Sequence, residues 1–582
     1  MTRREWLAIS AATPLTLIAE TQTIDQFFES VTVDWMRDNP EGATATRFFP
    51  PAEQDILDSK LSPPSAEEGP ARIAKARQIL NGLKKFDRQK LTASQRLSAD
   101  ILQWLLDDII GQEPFLELNF PINQFRGVQV GMSSLLAETQ PVRNRKDAEN
   151  FIARLEGFAP LLDKESETMR ERAAKGIRPP SFIVQETVAQ MQRFIKPDPE
   201  NNIITTAFAQ KLAKAKVPDA AKFVASANKI MSEAVYPSYR RALDNLSTIG
   251  ARATADAGLS SLPHGSEAYA YYLRRFTTTN MTPDEVHKLG LSEVQRIEAE
   301  MDALLKPLGY KEGSVSERFR KLSEDNVYPD SPNIREKILA DYTEIIRLAN
   351  ERSAKDFDLK PKAPCIVQRI PEFQESNAAA NYQAPPSDGT RPGIFRVPLP
   401  GPVFSKVGMR TLAYHEAIPG HHFQVALQVE NKSLPRFRQT RAFGGFSAYS
   451  EGWGLYAERL ASDLGWYKGD PVSDLGRLNG ELFRARRLVT DTGLHTKNWT
   501  REQAIAYGIP RSEVDRYVVM PGQACSYKIG QLKILELREK ARTALGSSFA
   551  LKEFHNVVLG TGAVPLSLLE AQMNEWLKSK KA

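Results

Sequence analysis

At 582 residues the chain is longer than one hydrophobic core usually serves, and 41% hydrophobic with 25% charged residues excludes disordered, collagen-like and coiled-coil classes. Lys+Arg total 77 against Asp+Glu 71, a net charge of only +6. The basic runs at Arg484–Arg487 and 578–581 are too short for a nucleic-acid footprint, so no nucleic-acid partner is expected.

The chain opens on Thr2-Arg3-Arg4-Glu5-Trp6-Leu7, followed by a mildly apolar run to Ala19. That order, a twin arginine and then an apolar stretch, predicts an export signal over 1–22 and a periplasmic or otherwise exported protein, or a cytoplasmic one if the signal does not function. The run is too short to span a bilayer, and no later segment is long and apolar enough, so no membrane span is expected. Residues 23–582 show no repeat or separating linker and are expected to form a single catalytic domain.

Helical signals dominate the rest of the chain. A helix is predicted from about Asp147 to Lys175, kinked at Pro160, with Gly176 and Pro179 as its stop signal. Thr282-Pro283-Asp284-Glu285 reads as a capping box with proline at the first helical position. Behind it Val286, Leu289, Val294, Ile297, Met301 and Leu304 recur at helical spacing. Two short strands are predicted, Cys365–Ile370 and Ile394–Val397, divided by the proline- and glycine-rich stretch 384–393 that must be loop. The fold class expected is mainly α, a large two-lobed helical structure with a deep cleft and a small sheet beside the catalytic helix.

The chemistry concentrates in His415-Glu416-Ala417-Ile418-Pro419-Gly420-His421-His422, which holds three of the seven histidines. Two cysteines are too few for a thiolate site, so a metal must use imidazole and carboxylate, the donors zinc accepts. A catalytic zinc takes three protein ligands and keeps one position for water; Glu416, directly after the first ligand, stands ready to accept that water's proton. Histidines at i and i+4 would share a helical face, but here that position is Pro419. The turn must therefore be distorted for His415 and His421 to meet. His421 is the expected second ligand and His422 a supporting neighbour, with the reverse register left open. The third ligand should come from a following helix, where Tyr449–Glu458 offers Glu451 as ligand and Glu458 as the acceptor that orients a histidine.

The block HEAIPGHHFQ resembles the bacterial family catalogued as domain of unknown function 885, itself similar to thimet-oligopeptidase-like and thermophilic-carboxypeptidase-like zinc metallopeptidases. The resemblance extends to APPSDGTRPG (384–393), AYSEGWGLYAE (448–458), VTDTGLHTKNWTREQAIAY (489–507) and VMPGQACSYKIGQLKILELR (519–538), and more weakly from about residue 25 to the C-terminus. It implies a mainly helical fold with a deep cleft, a Zn2+ cofactor and hydrolysis of short peptides. Tyr527 resembles the tyrosine before x-x-Gly of the related carboxypeptidases, and His495 is the other histidine inside a matching block; either could donate to an oxyanion or hold a substrate terminus. Two other readings stay open: a peptide-binding protein without turnover, and a zinc hydrolase of a non-peptide amide or ester.

Overall fold

The computed structural model describes residues 22–370, 375, 379–386, 389 and 391–580; all but the last residue of the expected export signal lies outside them. The longer helices before the sheet include α1 (Ile24–Arg37), α2 (Ser65–Leu83), α3 (Ala93–Gly111), α4 (Arg145–Ala174), α5 (Tyr236–Gly250), α6 (Pro283–Leu305) and α7 (Ile334–Ser353). After a small sheet come α8 (Met409–Glu416), α9 (His421–Glu430), α10 (Ser447–Asp463), α11 (Pro471–Thr496), α12 (Ser526–Leu545) and α13 (Leu551–Thr561). The protein is mainly helical, as expected. Among the described residues no helix is long and apolar enough to cross a membrane.

Local signals set the helix ends. The Thr282 hydroxyl accepts from the Glu285 amide, and the Glu285 carboxylate accepts in return from the Thr282 amide at 2.7 Å. Two otherwise orphaned donors of α6 are thereby satisfied. α4 starts on Asn144, whose side chain accepts from the Asp147 amide, and runs through Pro160. It stops where Gly176 takes φ 88°, which a side chain would disfavour.

The two largest of several separate hydrophobic cores draw on different stretches of the chain. One is built from residues 122–249, where Phe151 of α4 stacks on Phe208 with ring centroids 4.0 Å apart and Phe158 packs edge-on against Tyr239 of α5. The larger core gathers α1–α3, α7, the sheet, α8–α10, α12, α13 and the C-terminal helix Leu566–Ser579. The sheet has strands β1 (Cys365–Arg369), β2 (Asn381–Gln383) and β3 (Gly393–Val397) in the order β1-β3-β2. β3 pairs parallel with β1, Ile366 opposite Ile394, and antiparallel with β2, Tyr382 opposite Phe395. The central strand is the most buried, and Phe395 meets Tyr342 of α7 edge-on. Sequence pattern finds β1 and β3 but not β2. It also assigns Gly393 to loop, whereas Gly393 opens β3.

A buried charge network joins three helices behind the cleft. Lys528 of α12, 0% exposed, contacts Glu481 of α11 at 2.6 Å and Glu293 of α6 at 2.8 Å. Arg296 bridges the same two carboxylates, and Arg477 also reaches Glu481. Burial opposes ionisation of Glu481, but Lys528 and Arg296 overcome it and hold its pKa at about 2 against an ordinary 4.5. A carboxylate depressed in the folded state stabilises above its unfolded pKa, and that contribution is lost as pH falls through the folded value. Lys528→Met leaves two carboxylates buried without their ammonium. It should lower the unfolding free energy by about 3–5 kcal/mol in urea denaturation, with the largest deficit near neutral pH.

α10 and α12 approach until their backbones touch. A Cβ on Gly452 would lie 2.4 Å from the carbonyl carbon of Gly530, and one on Gly530 would lie 1.8 Å from the Ala448 oxygen. Only glycine fits at either place. This contact sets the height of α10, the helix that faces the His415–His422 segment.

Candidate metal centre

The chain breaks its helix between the two key histidines. α8 ends on Glu416, Ala417 leaves helical geometry at φ −109° and ψ −98°, and α9 begins at His421. Gly420 closes the turn so tightly that a Cβ there would sit 1.9 Å from the His415 carbonyl oxygen. The indole of Trp453, fully buried on α10, fastens the break by donating to the Pro419 carbonyl at 2.9 Å and toward that of Gly420 at 3.2 Å. The distortion expected at Pro419-Gly420 is thus a clean interruption of the helix.

The interruption turns the two rings toward each other, with centroids 4.7 Å apart at an interplanar angle of 84°. Glu451 rises from α10 between them. Its Oε2 lies 3.5 Å from His415 Nε2 and 3.4 Å from His421 Nε2, and the three ligand atoms all fall within 4.8 Å of one another. A tetrahedral ion with bonds of about 2.0–2.1 Å separates its ligands by about 3.4 Å, so the donor set fits a small divalent cation. His415, His421 and Glu451 could hold such a metal. Glu458, two helical turns further along α10, accepts from His415 Nδ1 at 2.7 Å and leaves Nε2 free to coordinate.

Charge follows the same plan. Burial lowers the His415 pKa, but Glu451 and Glu458 outweigh it and carry the value to about 9. Burial raises that of Glu451, yet the two histidines take it well below the carboxylate range. Glu416, 8% exposed, has no hydrogen bond or ion pair among the described residues. Burial pushes its pKa up, opposed by the neighbouring histidines. A carboxylate beside a cation site, with no partner and a raised pKa, is suited to carrying a proton.

The other expected residues divide. Tyr527 feels Glu451: burial first, then the negative charge of Glu451, raises its pKa, and the Arg487 guanidinium lies 4.4 Å from its ring centroid. His422 turns away from the ligand group, its Nδ1 pairing with the Tyr382 hydroxyl at 2.9 Å while its ring also bonds the backbone of Ala363. The supporting contact on the ligands is therefore made by Glu458, and His422 braces the β2 wall. His495 is not brought to the group. It is 0% exposed, takes the Leu259 amide on Nδ1 at 3.1 Å, and donates from Nε2 to the Tyr517 carbonyl at 3.1 Å. With both nitrogens engaged and burial lowering its pKa to about 4, it is a strut between α11 and two neighbouring segments.

Sequence reasoning missed Trp453 as the fastener of the break and Tyr382 as the partner of His422. The tryptophan left a usable signal: a buried indole N–H needs an acceptor, and a glycine on either side of Trp453 lets it approach backbone. A second acidic group, Asp55, Asp58 and Asp147, is tied down by Arg47 on Asp58 and Arg143 on Asp147.

A cleft of about 540 Å³ opens over the ligands, lined by His421, Glu451, Tyr382 and Gln383 of β2, the Ala384–Pro386 loop, Arg391 and Arg441. Among solved structures, a "putative lipoprotein" from Colwellia psychrerythraea superposes with a TM-score of 0.90 at 31% identity, covering 96% of this chain and 100% of its own. A "putative lipoprotein of unknown function" from Shewanella oneidensis gives 0.71 at 20% identity, covering 95% and 100%, and speaks for the fold alone. A "putative oligoendopeptidase F" from Bacillus anthracis str. Ames covers 89% of this chain and 97% of its own at 12% identity, with a TM-score of 0.30, too low to speak for a shared fold. No curated protein matches the chain. A family model matches residues 40–573, and together with the Colwellia relative this shows that the chain belongs to the family described as bacterial protein of unknown function, DUF885.

Proposed function

We propose that the protein is a zinc-dependent peptidase acting on short peptides. The observation that carries this reading is the meeting of His415, His421 and Glu451 at ligand spacing with Glu416 unpartnered beside them. Two imidazoles and a carboxylate favour zinc over the harder cations, which prefer all-oxygen sites. A zinc ion held there supplies Lewis acidity, polarising a scissile carbonyl and lowering the pKa of a water molecule. Glu416 takes the proton of the attacking water and passes it to the leaving amine. Tyr527 donates to the oxyanion of the tetrahedral intermediate, its pKa raised so that the proton stays on the phenol. Glu458 holds the His415 ring in the coordinating tautomer.

The Arg3-Arg4 motif and the lipoprotein description of the Colwellia relative support an exported protein, and residues 23–582 would act as one catalytic unit. The test is digestion of a mixed peptide library by the zinc-loaded full chain, with products read by mass spectrometry. Shortened peptides that disappear on chelation are expected. A library left intact would sink the peptidase reading in favour of peptide binding or hydrolysis of another amide or ester.

A further inference from the structure

Arg441 stands in the wall of the same cleft under unusual conditions. It follows the short helix Arg436–Thr440 and takes left-handed backbone geometry, φ 54° and ψ 40°. Glycine is the ordinary occupant of that position, because a Cβ is strained there. The chain instead places its longest cationic side chain at the strained point. Among the described residues the Arg441 guanidinium has no hydrogen-bonded or ion-paired partner. Burial lowers its pKa, opposed by Tyr382 and Glu451, both of which line the cleft. A guanidinium half-buried in a cleft wall and left unpaired loses part of its hydration with no anion to replace it. Arg391 lines the same space and donates to the Ala384 carbonyl at 2.6 Å, which holds the adjoining wall in place. The charge that faces the cleft from Arg441 is thus opposite in sign to a carboxylate and matched to its two oxygens in shape.

We propose that Arg441 is the docking group for a carboxylate of the bound substrate, so that the cleft selects peptides carrying a free carboxylate near the bond to be cleaved. The proposal rests on the peptidase reading and narrows its substrate class. Two sources share this chemistry, the C-terminal carboxylate of a short peptide and an acidic side chain within it.

Calorimetric titration separates them without turnover, using the zinc-loaded full chain carrying Glu416→Gln. The probes are tetra-alanine, its C-terminal amide, and the same amide with one alanine replaced by glutamate. Tetra-alanine should bind about 10- to 100-fold tighter than its amide, the range for one charge-assisted bidentate contact. A glutamate that restores the affinity of the amide assigns the site to an acidic side chain; one that does not assigns it to the terminal carboxylate. Adding Arg441→Gln should erase the difference between acid and amide. Arg441→Gly should do the same without lowering the thermal midpoint, since glycine relieves the backbone, and so separates lost docking from lost folding. Acid and amide binding equally, neither binding, or discrimination that survives Arg441→Gln would each overturn the proposal. Arg441-dependent discrimination in a protein whose Glu416 form cleaves no peptide would remove the peptidase reading and keep the carboxylate site.

Discussion

Glu416→Gln is expected to reduce peptide hydrolysis by about two to four orders of magnitude while the protein keeps its zinc, the range for loss of a general base. The reason lies in where the carboxylate sits. Glu416 is the last residue of α8, one position beyond the candidate ligand His415, so it is held beside the candidate cation site without belonging to the converging donor set. It has no partner among the described residues to restrain it. Glutamine preserves its shape and its hydrogen-bonding reach and removes only the ability to accept a proton. Metal content measured by atomic emission should match the wild type, and single-turnover assays should place the loss in the chemical step. A variant that cleaves at the wild-type rate would show that another group moves the proton.

Zinc binding itself should divide the residues differently. His415→Ala, His421→Ala and Glu451→Ala each remove one of three converging donors and should abolish tight binding. Glu458→Gln leaves the donors intact but replaces the strong acceptor that orients His415, and should weaken zinc about 10- to 100-fold. His422→Ala should alter affinity least of the series, since its ring is spent on Tyr382 and Ala363. Competition against a zinc chelator of known affinity reads all five. If His422→Ala loses the metal and His421→Ala retains it, the register of α9 is wrong.

How much of this was legible in the sequence depends on how local the cause is. The capping box of α6 and the glycine stop of α4 were readable because every atom involved lies within a few residues. β2 was not readable: three residues, Asn381-Tyr382-Gln383, carry no alternating pattern, and they become a strand only because β3 offers an open edge. His415, Glu416 and His421 announce themselves by spacing, and Pro419 warns that no regular helix joins them. Regular helical spacing would put His422, seven residues on, on the side of His415; it does not apply because the helix is interrupted, and α9 starts afresh with His421 facing His415. His495 reads as a site residue because it stands in a block, 489–507, that resembles the family. Its real work is set by Leu259, 236 positions away, and Tyr517, and nothing near it in sequence hints at either. Arg441 is the same case in reverse: nothing around it marks it, and only the folding of β2 and α10 about the cleft gives its charge a destination.

The backbone contact between Gly452 and Gly530 has a consequence for any mutational survey of this chain. Neither residue offers a donor atom, yet a methyl group on either would wedge α10 away from α12. α10 carries both Glu451 and Glu458, so the wedge would displace a candidate metal donor and the acceptor behind another in a single movement. In a saturation screen scored by activity, these two glycines would rank beside His415 and His421, and a reader of that ranking would enrol them in the active site. Heat resistance would tell them apart. A ligand substitution spares the apoprotein's fold, whereas the wedge spoils helix packing with or without the ion, so activity and melting temperature would fall together only for the glycines.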